Sequence, residues 1–137
     1  MADLFTPLER SAVMRAVKGK NTAPEMVVRR IAHRLGYRFR LHVPDLAGRP
    51  DLVFPRFSKV IFVHGCFWHW HNCKRGQRMP KSRTDYWEKK LQRNQARDRR
   101  HRKALNKAGW RVLVIWECQT KNPQLVGERI QTFLGPR

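Results

Sequence analysis

Apolar residues recur along this chain with two periods, and the switches between them mark out the elements. Met26, Val27, Ile31, Ala32 and Leu35 fall at helical spacing behind Thr22-Ala23-Pro24-Glu25, a capping box with proline in its first turn, and Gly36 supplies the stop. Thr6-Pro7-Leu8-Glu9 has the same form and predicts a shorter helix to about Lys18, broken by Gly19 and Asn21. Period two takes over at Tyr37-Arg38-Phe39-Arg40-Leu41-His42, which predicts a strand with one apolar face. Pro44-Asp45 begins a turn, and Gly48-Arg49-Pro50 leads into a second strand over residues 51–54. The third strand, residues 59–63, carries Val60-Ile61-Phe62-Val63, apolar on both faces, and should be central. Thr84 can cap a long helix that starts at Asp85 and Tyr86 and stops at Gly109. Residues 110–116 form a fourth strand, and Leu125, Val126, Ile130 and Phe133 pattern a last helix from Pro123. This order predicts an α/β domain, a mixed central sheet flanked by helices.

The length of 137 residues fits one domain, with an N-terminal arm and helix over 1–20, a core over 21–120 and a C-terminal helix over 121–137. Hydrophobic content of 41% excludes global disorder. Net charge is +20, from 30 Lys and Arg against 10 Asp and Glu, which points to a polyanionic partner, nucleic acid first. The basic run of residues 74–83 and the arginines of the long helix would face it or simply be solvated. No apolar run approaches the ~20 residues of a spanning helix. No basic and apolar leader is visible either, so a cytoplasmic chain with reduced thiols is expected.

The densest chemistry lies in Val60-Ile61-Phe62-Val63-His64-Gly65-Cys66-Phe67-Trp68-His69-Trp70-His71-Asn72-Cys73. Cys66, His71 and Cys73, with Cys118 far downstream, make a Cys₃His set of the kind that closes a tetrahedral structural zinc site. His69 competes with His71 for the fourth position, and spacing does not choose between them. Asp51, between Arg49-Pro50 and an apolar strand, is a hard oxygen ligand for Mg²⁺ or a local turn-former. Glu25 is explained by the capping box alone, and His64 by a strand end. Phe67, Trp68 and Trp87 are core residues or base-stacking ones, and Trp110 and Trp116 are expected to pack.

Pro50-Asp51 followed by a strand ending in a charged residue is similar to the Pro-Asp…(Asp/Glu)-x-Lys nucleases, which share a restriction-endonuclease-like fold. Phe62 stands where the second acid belongs and His64 where the lysine belongs. That departure, with Met14-Arg15-Ala16-Val17, Asn21-Thr22-x-x-Glu25, Gly48-Arg49-Pro50-Asp51, the 60–73 run, Arg83-Thr84-x-Tyr86-Trp87, Arg97-Asp98-Arg99-Arg100 and Gly109-Trp110-Arg111-Val112-Leu113-x-Ile115-Trp116-Glu117-Cys118, resembles the very-short-patch repair (Vsr) endonucleases over roughly residues 8–120. The resemblance implies Mg²⁺ on Asp51 and the Val63 carbonyl, His69 as general base, and His64 and Glu25 positioning water or phosphate. It assigns zinc to Cys66, His71, Cys73 and Cys118, and makes Phe67, Trp68 and Trp87 a wedge entering a base step. It implies a monomeric, strand-specific DNA nickase cutting 5′ of the thymine in T·G mismatches left by deaminated 5-methylcytosine. Such an enzyme works on the bacterial nucleoid, where accessory mismatch-repair proteins are further partners. A broader mismatch nickase, a restriction-type nuclease of the same fold, or a non-catalytic zinc-containing DNA-binding module are the alternatives.

Overall fold

A computed structural model describes residues 22–136, so the helix expected from Thr6 and the Met14 motif lie outside the described residues. Helix α1 (Ala23–Arg34) begins as its capping box predicts: the Thr22 hydroxyl accepts from the Glu25 N–H at 3.4 Å, with Pro24 in the first turn. The buried stripe is rotated from the predicted one. Val28 is fully buried beside Ala32, whereas Met26, Val27, Ile31 and Leu35 are half-buried.

Strand β1 (Arg40–Leu41) is two residues rather than six. Alternation over residues 37–42 arises from ring packing instead of a backbone ladder: Tyr37 and Phe39 both lie edge-on to Phe54, at 6.5 and 5.8 Å between centroids. The Tyr37 hydroxyl donates to the Gly135 carbonyl, and His42, at φ 53, turns the chain out of the extended region. β2 (Leu52–Phe54) pairs antiparallel with β1 and with β3 (Lys59–His64), and β3 pairs parallel with β4 (Arg111–Trp116), giving one sheet of order β1-β2-β3-β4. A parallel pair needs a crossover. Helix α2 (Thr84–Lys107) supplies it between β3 and β4, and α3 (Pro123–Leu134) closes the chain, capped by Asn122 accepting from the Leu125 N–H at 3.2 Å.

Thr84 does not cap α2. Its hydroxyl donates to the Pro80 and Lys81 carbonyls at 3.3 and 3.4 Å, and Arg83, at φ 60, precedes the helix instead. At the other end Gly109, at φ 94, takes the left-handed position expected of it.

As its doubly apolar pattern requires, β3 is interior and both sheet faces are covered. Leu52, Phe54, Ile61 and Ile115 pack under α1 and α3 with Val28, Val126 and Ile130. Val53, Val60 and Phe62 point the other way and meet Leu105 of α2. Among the described residues no helix is long and apolar enough to cross a membrane. Ile61 is fully buried at the centre of this sandwich. Ile61→Ala should lower unfolding free energy by about 2–5 kcal/mol in a urea titration.

Candidate active site

Two carboxylates meet at the start of β2. Asp51 is reached through a tight loop: Gly48 has φ +73, and a Cβ there would come within 2.9 Å of the His101 ring on α2, so only glycine lets the helix close on the loop. Asp51 then leans across to the end of β3, where its Oδ2 accepts the Val63 N–H at 2.6 Å. Its carboxyl also hydrogen-bonds Glu25, which is buried and ion-paired with Arg29; Arg29 in turn contacts His42 Nε2 at 3.1 Å. Burial, then the hydrogen bond that its protonated carboxyl donates to Glu25, push Asp51 up to about 8, and the Val63 N–H and the Arg29 charge offset only part of this. A buried acid and a half-buried one in contact are hard oxygen donors held together, a set that fits a divalent cation. The Glu25 N–H meets the Thr22 cap while its carboxylate, instead of reaching back to that cap, meets Arg29 and Asp51.

Two imidazoles stack beside the acids. The rings of His64, at the end of β3, and His69, in the following loop, lie 3.7 Å apart and within 5° of parallel. His69 Nδ1 is 2.6 Å from Asp98 Oδ2 on α2. That helix also holds the loop by its backbone: Asn94 donates to the Trp68 carbonyl at 2.9 Å and Gln95 to the Trp70 carbonyl at 3.2 Å. Burial first, then the neighbouring His69, push His64 down to about 3, so the ring is neutral near pH 7. Burial alone would raise Asp98, but its hydrogen bond and charge contact with His69 prevail and hold it below the usual carboxylate range. Asp98 had no assigned role in the sequence, where it stood only within the Arg97-Asp98-Arg99-Arg100 motif. Glu25, Asp51, Val63, His64, His69 and Asp98 all line one cleft of about 1000 Å³. Arg49, Arg75, Arg78, Lys90, Arg97 and Arg102 line it too, so a phosphate backbone entering it meets positive charge.

The Cys₃His set comes together as its spacing suggested. The ligand atoms of Cys66, His71, Cys73 and Cys118 all lie within 4.8 Å of one another, and Cys118 Sγ is 3.6 Å from His71 Nδ1. Tetrahedral bonds of about 2.3 Å to sulfur and about 2.0 Å to nitrogen put ligand atoms roughly 3.5–3.8 Å apart, so the donors fit a soft divalent cation. The fourth position goes to His71, because His69 is turned to Asp98 and His64. The sulfurs already receive N–H donors: Cys118 N–H to Cys66 Sγ and Gly76 N–H to Cys73 Sγ, both 3.3 Å. Burial pushes the Cys66 thiol up to about 12, so ionising it falls to an incoming cation. Glu117 ties the strand end to the loop, accepting from Cys66 N–H at 3.4 Å and from Arg75 at 2.9 Å. At Gly76 a Cβ would sit 2.0 Å from the His71 carbonyl oxygen, so the basic loop folds back tightly over the clamp.

Phe67, Trp68 and Trp87 are packed on one another, with centroids 5.3–5.8 Å apart in edge-to-face contacts, over Leu91 of α2. All three are buried, although Phe67 and Trp68 also line the cleft, and Trp68 Nε1 has no hydrogen-bond partner among the described residues. Tyr86, beside them, is 41% exposed.

The family model of the DNA mismatch endonuclease Vsr matches residues 2–75. A type II nicking enzyme of Xanthomonas oryzae is 49% identical over 99% of this chain and 99% of its own length. A type II nicking enzyme of Neisseria meningitidis is 41% identical, covering 98% of this chain and 95% of its own. The DNA mismatch endonuclease Vsr of Escherichia coli is 39% identical, covering 96% and 84%. The chain belongs to the Vsr family. It is therefore a DNA endonuclease, on a restriction-endonuclease-like α/β fold. Within this Vsr chain β3 lacks the acid that the Pro-Asp…(Asp/Glu)-x-Lys pattern has there. Phe62 lies in the core, 6% exposed, and Glu25 reaches Asp51 from α1 instead.

The raised Asp51 pKa sets a direction for stability. The folded carboxyl keeps its proton up to about 8, whereas an unfolded one loses it near 3.8, so between those values the unfolded chain binds fewer protons. Rising pH therefore favours unfolding through this group. Without added divalent cation, the wild-type chain should lose urea stability relative to Asp51→Asn as pH climbs from about 5 to about 8. A gap between the two proteins that stays constant with pH contradicts this account of the acid pair.

Proposed function

We propose that this endonuclease nicks one strand of duplex DNA 5′ of the mispaired thymine in a T·G mismatch, in short-patch repair of deaminated 5-methylcytosine. The observation that carries the catalytic part is the Asp98–His69–His64 array facing the Asp51–Glu25 pair across one cationic cleft. The nicking and mismatch activities named for the relatives support the outcome. In this reading Asp98 holds the proton on His69 Nδ1, which leaves Nε2 to take a proton from the attacking water. His64, neutral and stacked on His69, fixes its plane and can bond the phosphate or a water. Asp51 and the Val63 carbonyl would hold Mg²⁺, with Glu25 beside them; the cation polarises the scissile phosphate. Cys66, His71, Cys73 and Cys118 would hold Zn²⁺ and keep the 66–73 loop rigid.

Mismatch preference follows from the aromatic group. Unstacking a base step costs a few kcal/mol, least at a mismatch, and an inserted ring recovers stacking. Phe67, Trp68 and Trp87 have the rings for this, and the unpartnered Trp68 N–H supports a resting arrangement that DNA replaces. The chain would act as a monomer in the bacterial cytoplasm on nucleoid DNA, with accessory mismatch-repair proteins as further partners.

Asp51→Ala should abolish nicking of a T·G duplex while duplex binding persists. If the variant cuts as well as wild type, the acid pair is not the reaction centre. A panel of all mismatches, scored for the strand cut with Mg²⁺ and with EDTA, decides substrate and cation; equal cutting of matched duplex would favour a restriction-type nuclease. Elemental analysis of the purified chain should find about one zinc per chain, and a folded, active, zinc-free protein contradicts the clamp.

A further inference from the structure

The metal clamp and the stacked imidazoles are separate groups of ligands, yet one ring touches both. Trp116, the last residue of β4, lies flat on His71, with centroids 4.0 Å apart and planes within 10°. The same indole meets His64 edge-to-face at 5.3 Å and 73°, and His69 at 6.4 Å and 68°. Among the described residues no other aromatic ring contacts both groups.

We propose that Trp116 is a positioning residue, passing the order of the Cys66–His71–Cys73–Cys118 clamp to the imidazoles of His64 and His69. The role given to those imidazoles rests on the function proposed above; the mechanical link does not. Three anchors hold the indole still. The β3–β4 register sets Trp116 opposite His64. The Trp116 backbone N–H donates to Gln119 Oε1 at 3.0 Å, which fixes the main chain that carries the ring, and that oxygen also accepts from Arg129 at 2.7 Å. His71, when a cation is held with Cys66, Cys73 and Cys118, would stop the plate from sliding. Edge-to-face contact then limits the tilt of His64, because a ring edge is attracted to a π face only over a narrow range of geometry. His69 follows through its parallel stack on His64. A leucine is apolar but smaller, and it offers neither a flat plate to His71 nor a π face to His64. A phenylalanine keeps both in smaller form.

The test compares Trp116→Leu and Trp116→Phe with wild type. Zinc content, Kd for a T·G duplex, kcat, and the NMR signals of the His64 and His69 ring nitrogens, whose shifts follow tautomer and hydrogen bonding far more than the ring current of residue 116, are measured on each. Trp116→Leu should keep its zinc and its duplex Kd, lose on the order of tenfold to a hundredfold in kcat, and show displaced His64 and His69 signals. Trp116→Phe should recover most of the kcat. Unmoved histidine signals and wild-type kcat in zinc-loaded Trp116→Leu overturn the proposal. Should the leucine variant lose its zinc, the phenylalanine variant decides: retained zinc with histidine signals intermediate in shift supports the link, and histidine signals identical to wild type overturn it. The ring signals need no substrate, so they stay decisive even if T·G duplex proves not to be what the enzyme cuts.

Discussion

Parallel pairing of β3 with β4 is the constraint from which the site follows. In that register Val63 faces Ile115 and His64 faces Trp116, so both strands end together at one edge of the sheet. Past that edge, two residues of β4's continuation bring Cys118 to Cys66, and the β3 continuation brings His69 back over His64. Val63 gives its N–H to Asp51 from the same edge. A slip of one residue would turn every side chain of β4 to the other face. It would separate Cys118 from its partners and Trp116 from His71 together. The buried Ile61 and Ile115 resist that slip by packing between α1, α3 and the sheet.

The charge plan works at two ranges. A net charge of +20 draws a polyanion, but over roughly 8–10 Å in physiological salt that attraction is screened and carries no geometry. Inside the cleft acids stand among the cationic walls, and at the start of β2 two of them, Glu25 and Asp51, share a contact. Arg29 compensates only part of that pair. The incomplete compensation fits a site completed by a cation and a phosphate together, because a fully neutralised acid pair would have little affinity for either. The same logic explains Asp98. Its neighbours Arg97, Arg99 and Arg100 make the helix face attractive to DNA, while its own carboxylate is turned inward to His69.

Legibility in the sequence depended on how narrowly the chemistry restricts residue type. Cys66, His71, Cys73 and Cys118 were readable because few arrangements of three thiols and an imidazole serve any other purpose; the structure brings all four together. The choice of His71 over His69 was not readable from spacing, since it is decided by Asp98, a helix away. Asp98 itself looked like any acid in an arginine run. β3 was readable as the interior strand from apolarity on both faces, whereas residues 37–42 alternated for a different reason, ring packing against Phe54, and only Arg40–Leu41 found a ladder. Thr84 looked like a helix cap, but local carbonyls at 80 and 81 took its hydroxyl. Local patterns name elements; which side chain meets which is settled by packing across the sheet.

Under the proposed function the aromatic group would be a buried cluster that also serves a binding surface. Phe67, Trp68 and Trp87 are packed edge-to-face on one another, and such contacts are worth about 0.5–1.5 kcal/mol beyond burial. Stacking on a base is worth about 1–3 kcal/mol per base. The two sums are close, so under the proposed function the rings would gain little by entering intact duplex, where a base step must also be unstacked. A weakened step lowers that opposing term and tips the balance. Selectivity for a mispaired site then needs no ring to read a base edge. It needs a resting cluster stable enough that only a weak step draws it out, and a loop held firmly enough by Asn94, Gln95 and the Cys₃His clamp that the rings move without carrying His69 away.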